Sequence, residues 1–420
     1  MSLSTFIGSS LDLQRADKAV AQRGLLLMGG GARTAYQAGV LKAVGEILGA
    51  QSSIQTSTQL KKWPFPIVVG TSAGALNGAY LASRTQLGLG AFAELAGFWQ
   101  SLRSAGLYNL NVPVWMRSSR WLTALGLSRR AANLGAVLDN MLLIDSLHKA
   151  VNLSAIEANL LSGQKGGDFQ ALAVTASSYS SGLHWTFCQR SPGAAPLDTS
   201  PRAGRRLVEE PITIDHLAAS SAIPGIFPAA SLFVGGQREF FGDGSMRHSS
   251  PLSAPLKLGA THVLAIGVGQ PDRAGFGTNA TGQQTAGQQM PSRPTLGMVA
   301  GHAMASVFHD TLRADVEQAL RVNDSLTKMP PELAKAAGYR PVQVLQISPS
   351  QSLDAIAVEH FDALPQGIRH VLAGFGARGA SGAALASYLL FESGFINALM
   401  QIGERDAFVR KAELLAFFEV

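Results

Sequence analysis

The sequence predicts an α/β fold in which a central, mostly parallel β-sheet lies between layers of helices, giving a three-layer α/β/α arrangement. Two apolar runs, at residues 24–28 and 65–69, have the length of buried strands, and each is followed by a glycine-rich turn and a helical pattern. This order of elements favours parallel strands joined by right-handed crossovers. With 46% hydrophobic and 15% charged residues, the 420-residue chain can bury a large core.

Further strands and helices follow this first unit. Apolar or alternating runs predict strands at 171–178, 184–189, 232–235, 239–242, 262–268 and 341–347. Helical patterns span 34–48, 143–161 and 295–326, and the pattern is helical again from 353 onwards. The single cysteine, Cys188, lies in an alternating strand and is expected to be a packed thiol.

The predicted organisation is a tail, one large domain and a helical C-terminal extension. Residues 1–20 form the tail, and residues 21–350 form the main domain, which carries a mostly helical cap insertion at about 88–168. A stretch rich in Gly, Gln, Thr and Pro, at about 270–294, predicts a flexible loop. The extension, 351–420, is expected to pack on the core, and an oligomer interface or a membrane contact are the alternatives. The oligomeric state stays open.

The segment Gly70-Thr71-Ser72-Ala73-Gly74 is the strongest functional signal in the chain. A G-x-S-x-G motif between a buried strand and a helix is the setting of a nucleophile elbow, which exposes a serine hydroxyl above the end of the strand. Gly70 and Gly74 allow the backbone to turn tightly there. Ser72 is therefore a candidate nucleophile, and a purely structural turn is the alternative.

A second glycine cluster, Gly29-Gly30-Gly31-Ala32-Arg33, lies between the first strand and the first helix. Backbone N–H groups at such a junction bind anions. A serine that transfers acyl groups needs such donors for the oxyanion of its tetrahedral intermediate, and Arg33 would hold the turn or add positive potential. A phosphate or dinucleotide loop is the competing interpretation, but neither G-x-G-x-x-G nor G-x-x-x-x-G-K-[ST] is present. Together with the elbow, the cluster favours an oxyanion hole.

A serine nucleophile also requires a group that accepts its proton. Asp243 lies between two glycines after an aromatic strand, which suits a turn that presents its carboxylate, although an ordinary Asp-Gly hairpin turn has the same pattern. His248 would complete a Ser–His–Asp triad if it lay between the other two. Its polar neighbours Arg247, Ser249 and Ser250 predict a surface or capping histidine instead.

Taken together, the glycine cluster, the elbow, the segment 221–228 and the Asp-Gly pair at 243–244 resemble the motifs of the patatin-like phospholipase family. The resemblance covers roughly residues 21–270. It implies a catalytic domain with a Ser–Asp dyad, in which Ser72 is the nucleophile, Asp243 is its direct base and the glycine cluster with Arg33 forms the oxyanion hole. It also implies a hydrolase of phospholipids or lysophospholipids that needs no cofactor. Another acyl ester, such as a neutral lipid, a thioester or a polyester, is the alternative substrate.

Two positions depart from the family's pattern. Thr34 replaces the glycine that usually follows the basic residue of the oxyanion loop, and Ser245 replaces the Gly or Ala that usually follows the Asp-Gly pair. Neither change removes a reacting group, so activity is expected and substrate preference stays open. A lipid-binding protein without turnover is the hypothesis from another class, and the presence of both Ser72 and Asp243 argues against it.

Composition disfavours several other functions. The net charge is +6, but Lys and Arg are not grouped in a nucleic-acid-binding motif, so no nucleic-acid partner is expected. The histidines lack metal-ligand spacing, which predicts a metal-independent enzyme. Neither a signal-peptide pattern nor a transmembrane run stands out, which predicts a cytoplasmic protein.

A basic and aromatic segment at 99–130 predicts contact with a membrane surface. It contains five arginines and several Trp, Tyr and Leu residues, and it lacks acidic residues. Such a composition suits the boundary of an anionic membrane, where apolar groups meet acyl chains and guanidinium groups meet phosphates. A cap that packs its apolar side on the core explains the same pattern.

Overall fold

The computed structural model describes residues 22–55, 62–108, 135–136, 138–164, 168–269, 311–336, 338–369 and 383–419. Within these residues, nine strands form one sheet. The strands are β1 (Arg23–Leu27), β2 (Ile67–Thr71), β3 (Ala171–Ser178), β4 (His184–Arg190), β5 (Arg205–Glu209), β6 (Ala230–Val234), β7 (Gln237–Asp243), β8 (His262–Ile266) and β9 (Gln343–Ile347).

Helices in the described residues pack on both faces of the sheet. They are α1 (Ala35–Gln55), α2 (Ala73–Ala82), α3 (Gly90–Ser101), α4 (Met141–Ala150), α5 (Leu153–Gln164), α6 (Ile214–Ser220), α7 (Ser253–Lys257), α8 (Leu312–Thr327), α9 (Pro331–Ala336), α10 (Leu353–Glu359), α11 (Ala383–Leu389), α12 (Ser393–Val409) and α13 (Lys411–Phe418). A 3-10 turn, Gly31–Thr34, joins β1 to α1.

The sheet is mostly parallel, which confirms the predicted fold class. Its strands lie in the order β5-β4-β3-β2-β1-β8-β9. The run from β3 to β9 is parallel throughout. Strands β4 and β7 pair with β3 in the antiparallel sense, and β6 joins the sheet through β7.

Both faces of the central strands are buried. In β1, Leu25 and Leu27 belong to one apolar cluster, whereas Leu26 belongs to a second cluster on the other face. Parallel strands covered by helices on both faces have nearly continuous apolar sequences. This is why the runs before the two glycine motifs could be recognised as strands.

Strand β2 begins two residues later than predicted, and its last residue directly precedes Ser72. Pro66 lies just before the strand and cannot donate a backbone hydrogen bond. Its carbonyl accepts the N–H groups of Gln170 and Ala171 at 2.8 and 3.0 Å. The proline therefore marks the point at which β2 meets β3.

Two details of the elements come from the structure alone. The helical stretch predicted at 143–161 consists of two helices, α4 and α5, because the Asn152 side chain accepts the Ala155 N–H at 3.0 Å and starts a new helix. Strand β5 was missed because Arg205, Arg206 and Glu209 interrupt its apolar pattern. The expected tail, the expected loop at 270–294 and the first part of the predicted helix at 295–326 lie outside the described residues.

The C-terminal helices share the core with the first crossover unit. Helix α12 lies along α1 and buries Phe395, Ile396 and Leu399. Two glycines make this contact close: Gly39 of α1 faces the backbone of Met400, and Gly403 of α12 faces the backbone of Tyr36. The boundary expected near residue 350 stays a prediction. None of the described helices combines the length and hydropathy that crossing a membrane requires.

We expect Gly39→Ala to destabilise the protein. A Cβ at this position would lie 2.7 Å from the Met400 Cα, so the two helices would have to separate. Overpacking of this kind costs about 1–3 kcal/mol and exceeds the gain in helix propensity. Urea unfolding measures the change.

The matched control is Gly49→Ala on the same helix, where a Cβ meets nothing within 4 Å. Alanine there should raise the free energy of unfolding by about 0.5–1 kcal/mol. Equal stabilisation by both substitutions would contradict the close packing of α1 on α12.

Candidate active site

Ser72 lies at the sharp turn between β2 and α2. Its φ is 55° and its ψ is −132°, a left-handed conformation that a residue with a side chain rarely adopts. Such strain is of order 1–3 kcal/mol and persists only where surrounding contacts impose it. Gly74 permits the turn because a Cβ there would lie 2.6 Å from the carbonyl oxygen of Met28, the residue that follows β1. The elbow predicted from the G-x-S-x-G motif is therefore present in the backbone.

The Ser72 hydroxyl donates a hydrogen bond to Asp243 Oδ2 at 2.5 Å. Both residues are buried, with 1% and 0% of their surface exposed. Ser72 and Asp243 meet because β3 pairs with β2, which ends just before Ser72, and with β7, which ends at Asp243. Thr71 at the end of β2 is opposite Thr175, and Asp243 at the end of β7 is opposite Ala176.

The second oxygen of Asp243 is also occupied. Asp243 Oδ1 accepts the Ser245 backbone N–H at 2.8 Å, while the N–H of Asp243 donates to the Ala222 carbonyl at 2.9 Å. Burial raises the pKa of Asp243 to about 6, and the hydrogen bonds from Ser72 and Ser245 limit the rise. The carboxylate is thus ionised at neutral pH and more basic than an exposed aspartate.

The glycine cluster lies directly against Ser72. A Cβ on Gly29 would be 2.8 Å from the Ser72 Cβ and would also overlap Ser245. Gly31 has a φ of 55° and packs against the backbone of Tyr388, so a side chain is excluded there by both conformation and space. The glycine pattern therefore has a steric reason: the turn approaches Ser72 more closely than any residue with a side chain allows.

Arg33 points towards the C-terminal region. Its Nε donates to the Ser387 Oγ at 2.7 Å, its guanidinium forms an ion pair with Asp354, and its Cζ lies 4.0 Å from the centre of the Tyr388 ring. The Arg33 side chain is 4% exposed. Of the two roles considered for Arg33, this geometry supports holding the turn.

Thr34, one of the two departures from the family's pattern, stabilises this turn. The Thr34 hydroxyl donates to the Gly31 carbonyl at 2.7 Å, and the side chain is fully buried. Its hydroxyl therefore satisfies a carbonyl within the glycine turn.

Sequence reasoning missed the group that supports the elbow backbone. The Ser72 N–H donates to the Ser220 Oγ at 2.8 Å, and Ser220 is the last residue of α6. The Ser220-Ser221-Ala222 segment thus serves both residues, because Ala222 also accepts from Asp243. The motif beginning at Ser221 was recognised, but the serine one position earlier carries no pattern of its own.

His248 is buried, so its expected place at the surface was wrong. Its Nδ1 lies 3.3 Å from the Thr71 hydroxyl, and its ring stacks on His184 with a centroid distance of 4.8 Å. Burial, together with the charges of His184 and Arg205, lowers the pKa of His248 well below its usual range. Among the described residues, His248 forms no hydrogen bond to Ser72 or Asp243, so the triad arrangement is not present here.

An apolar cavity of about 750 Å³, a volume that includes its open mouth, adjoins Ser72. Helices α2, α3 and α4 and the segment after α6 supply most of its wall. The side chains include Ser72, Leu76, Tyr80, Phe98, Trp99, Leu107, Tyr108, Leu143, Leu147, Ile223, Phe227, Tyr388 and Phe391, beside Gly31. A cavity of this size and chemistry suits a hydrocarbon chain.

The start of the basic and aromatic segment belongs to this cavity. Trp99 and Tyr108 are 2% and 4% exposed, and Trp99 donates to the Asn77 Oδ1 at 2.7 Å. These two aromatic residues are therefore not available for membrane contact, and for them the alternative of a cap packed on the core holds. Residues 109–134 lie outside the described part of the chain.

Within the described residues, no group of three His, Cys, Asp or Glu side chains is placed to hold a metal ion. Metal independence stays a prediction that a chelator can test. Cys188 is fully buried, as expected.

The comparisons identify the family. The model of patatin-like phospholipases matches residues 25–256, which is more than half of the chain. The chain belongs to the patatin-like phospholipase family. This confirms the family inferred from the motifs and makes lipid esters the general substrate class. The matched region contains the glycine cluster, the elbow and Asp243.

The other comparisons are weak. No curated protein sequence matches the chain. A crystal structure of VipD from Legionella pneumophila matches at 12% identity, covering 87% of this chain and 67% of the other. Its TM-score is 0.30, and a likeness at this level carries no argument.

We expect Asp243 to make the stability of the protein pH-dependent. Its pKa is raised from 3.8 to about 6 by folding, so its contribution to stability is fully present below about pH 3.8 and is lost as the pH rises through about 6. The free energy of unfolding of the wild type, minus that of Asp243→Asn, should therefore fall by on the order of 3 kcal/mol over this range.

Denaturant unfolding at several pH values measures this difference. Asp324→Asn, which changes an exposed carboxylate on α8, corrects for the general effect of removing one negative charge. A difference between wild type and Asp243→Asn that stays constant with pH would contradict a raised pKa.

Proposed function

We propose that this protein hydrolyses fatty-acyl esters of phospholipids or lysophospholipids through a Ser–Asp dyad. The observation that carries the proposal is the 2.5 Å hydrogen bond from Ser72 Oγ to Asp243 Oδ2, beside an apolar cavity. Membership of the patatin-like phospholipase family supports lipid esters as the substrate class. Nothing in the cavity wall selects one headgroup, so the proposal leaves the headgroup and the sn position open.

In the first step, Ser72 Oγ attacks the ester carbonyl carbon while its proton passes to Asp243 Oδ2. The tetrahedral intermediate then expels the alcohol, which takes the proton from Asp243, and an acyl-serine remains. In the second step, Asp243 accepts a proton from water, which attacks the acyl carbonyl. Ser72 recovers a proton from Asp243 as the fatty acid leaves. A carboxylate with a pKa of about 6 suits this exchange near neutral pH.

The glycine cluster is the proposed oxyanion hole. Gly29 lies next to Ser72, and Gly31 borders the cavity in which the carbonyl would lie. Backbone N–H groups of Gly29, Gly30 and Gly31 are the proposed donors to the oxyanion. Arg33 acts as a positioning residue in this proposal, because its side chain ties the turn to Asp354 and Ser387.

The apolar cavity is the proposed site of the acyl chain. Burying each methylene is worth about 0.8 kcal/mol, so a long chain in this cavity gains much of its binding energy there. An ester delivered from a membrane would have to leave the bilayer for the cavity. The contact with an anionic membrane expected from the segment 99–130 therefore stays part of the proposal.

We expect Ser72→Ala and Asp243→Asn to abolish fatty-acid release from phospholipid vesicles. Each variant removes one of the two groups between which the proton moves, so the rate should fall at least about a thousandfold. The assay contains EDTA and compares zwitterionic with anionic vesicles. Ser162→Ala and Asp324→Asn, at exposed positions, are the matched controls.

Activity that survives Asp243→Asn in a folded protein would contradict the dyad and direct attention to His248. Release of the acid from a neutral lipid, thioester or polyester, but not from phospholipids, would keep the dyad and replace the substrate class. Vesicle binding without turnover of any ester would favour the non-catalytic lipid-binding hypothesis.

We expect Leu143→Trp to shorten the acyl chains that the enzyme accepts. Leu143 is half-buried on α4 and borders the cavity, so an indole there would fill space proposed for the chain. The kcat/KM for long-chain nitrophenyl esters should fall at least about tenfold, while that for butyrate esters should change little. Leu161→Trp, at an exposed leucine of α5, is the control. An equal loss with both chain lengths would place the acyl chain elsewhere.

A further inference from the structure

A second cavity, of about 410 Å³ including its open mouth, lies beside β4, β5 and α7. Most of its lining residues are polar or basic, in contrast to those of the apolar cavity. The lining residues are His184, Thr186, Ser200, Arg202, Arg205, Arg206, Leu207, His248, Ser250, Ser253, Ala254 and Lys257. We call it the basic pocket.

The basic pocket opens on the face of the sheet opposite the apolar cavity. Along β4, His184 and Thr186 line the pocket, and Cys188, two residues further, belongs to the apolar cluster of the same face. Trp185 and Phe187, which alternate with them, belong to the cluster of the other face. The pocket is therefore separated from the proposed acyl site by the sheet.

The charges around the basic pocket are unbalanced. Arg202, Arg205, Arg206 and Lys257 contribute four cations, and no carboxylate lines the pocket among the described residues. Arg205 and Arg206 form no ion pair within the described chain.

Two carboxylates lie near the cluster without lining it. Asp198 is exposed and lies 3.8 Å from Arg202, and its backbone carbonyl accepts from Lys257 at 3.2 Å. Asp315 accepts a hydrogen bond from the Leu252 N–H at 2.7 Å and interacts electrostatically with Arg205. Of the four cations, Arg202 alone forms an ion pair with a carboxylate within the described residues.

A buried histidine in the wall also lacks a partner. The His184 Nδ1 forms no hydrogen bond within the described residues, although the side chain is 4% exposed. A buried polar atom without a partner is unfavourable, and a ligand that bonds to it would remove this cost. The neighbouring His248, which also lines the pocket, stacks on this ring. His248 contacts Thr71, the residue that precedes Ser72 in the sequence.

We propose that the basic pocket binds a phosphate-type oxyanion, as a phosphate monoester or the phosphorylated headgroup of a lipid. A monoester carries a charge of about −1.5 to −2, which matches the excess of cations. Guanidinium groups pair with two phosphate oxygens at once. The Thr186, Ser200, Ser250 and Ser253 hydroxyls are further donors in the wall.

The test is binding of inorganic phosphate and glycerophosphate to the full chain, measured by titration calorimetry at constant ionic strength in chloride. The wild type should bind at one site, and Arg205→Gln should weaken binding at least about tenfold. Lys257→Gln is the second variant, in case Arg205→Gln does not fold. Arg321→Gln, at an exposed arginine of α8, should bind like the wild type.

Vesicles of phosphatidylcholine, with or without a phosphoinositide, distinguish the two sources of the phosphate. If the wild type binds the phosphoinositide vesicles and Arg205→Gln binds them more weakly, the ligand of the pocket is a lipid headgroup. Soluble phosphate binding with equal vesicle binding by both proteins would assign it to a free phosphate ester.

The proposal is overturned if neither soluble probe nor vesicle binds, or if Arg205→Gln and Lys257→Gln bind as the wild type does. Because Ser72→Ala leaves the basic pocket unchanged, it should bind phosphate normally. The result therefore stands whether or not the protein hydrolyses lipids.

Discussion

The arrangement of the candidate active site depends on one edge of strand β3. Strand β4 occupies the opposite edge, so β2 and β7 must share this one: β2 pairs with it as far as Thr175, and β7 takes over at Ala176. Strand β2 therefore ends where β7 delivers its last residue, Asp243. The polypeptide leaving β2 must turn sharply to avoid β7, and the turn places the Ser72 hydroxyl on the carboxylate.

The strain of that turn is balanced by contacts on several sides. The Ser72 backbone N–H is held by Ser220, and the glycine cluster fills the space beside the Ser72 side chain. The cluster in turn rests on the C-terminal region, through Arg33 and its ion pair with Asp354. Loss of either partner of this buried ion pair would leave the other charge uncompensated. The C-terminal region therefore stabilises the geometry of the turn, although Arg33 and Asp354 are more than three hundred residues apart in the sequence.

The sheet also separates two kinds of surface at the same edge. On one face, Ser72 opens to a cavity of apolar side chains, whereas the other face carries His248, His184 and the arginines of the basic pocket. Thr71 and Ser72 are adjacent in β2 and its turn, so their side chains belong to opposite faces. This alternation explains how His248 comes within 3.3 Å of Thr71 without contacting Ser72 or Asp243.

The sequence by itself determined the parallel sheet, the elbow at Ser72, the glycine cluster and the identity of Asp243 as the candidate base. These features are local, because a covered strand must be apolar and a turn without space for a Cβ must be glycine. Only the tertiary structure decided that Asp243 contacts Ser72 directly, that His248 is buried, and that Arg33 is bound by the C-terminal region. Strand pairing and burial involve residues far apart in the chain. The residues next to His248 in the sequence therefore do not indicate that it packs against His184 and Thr71.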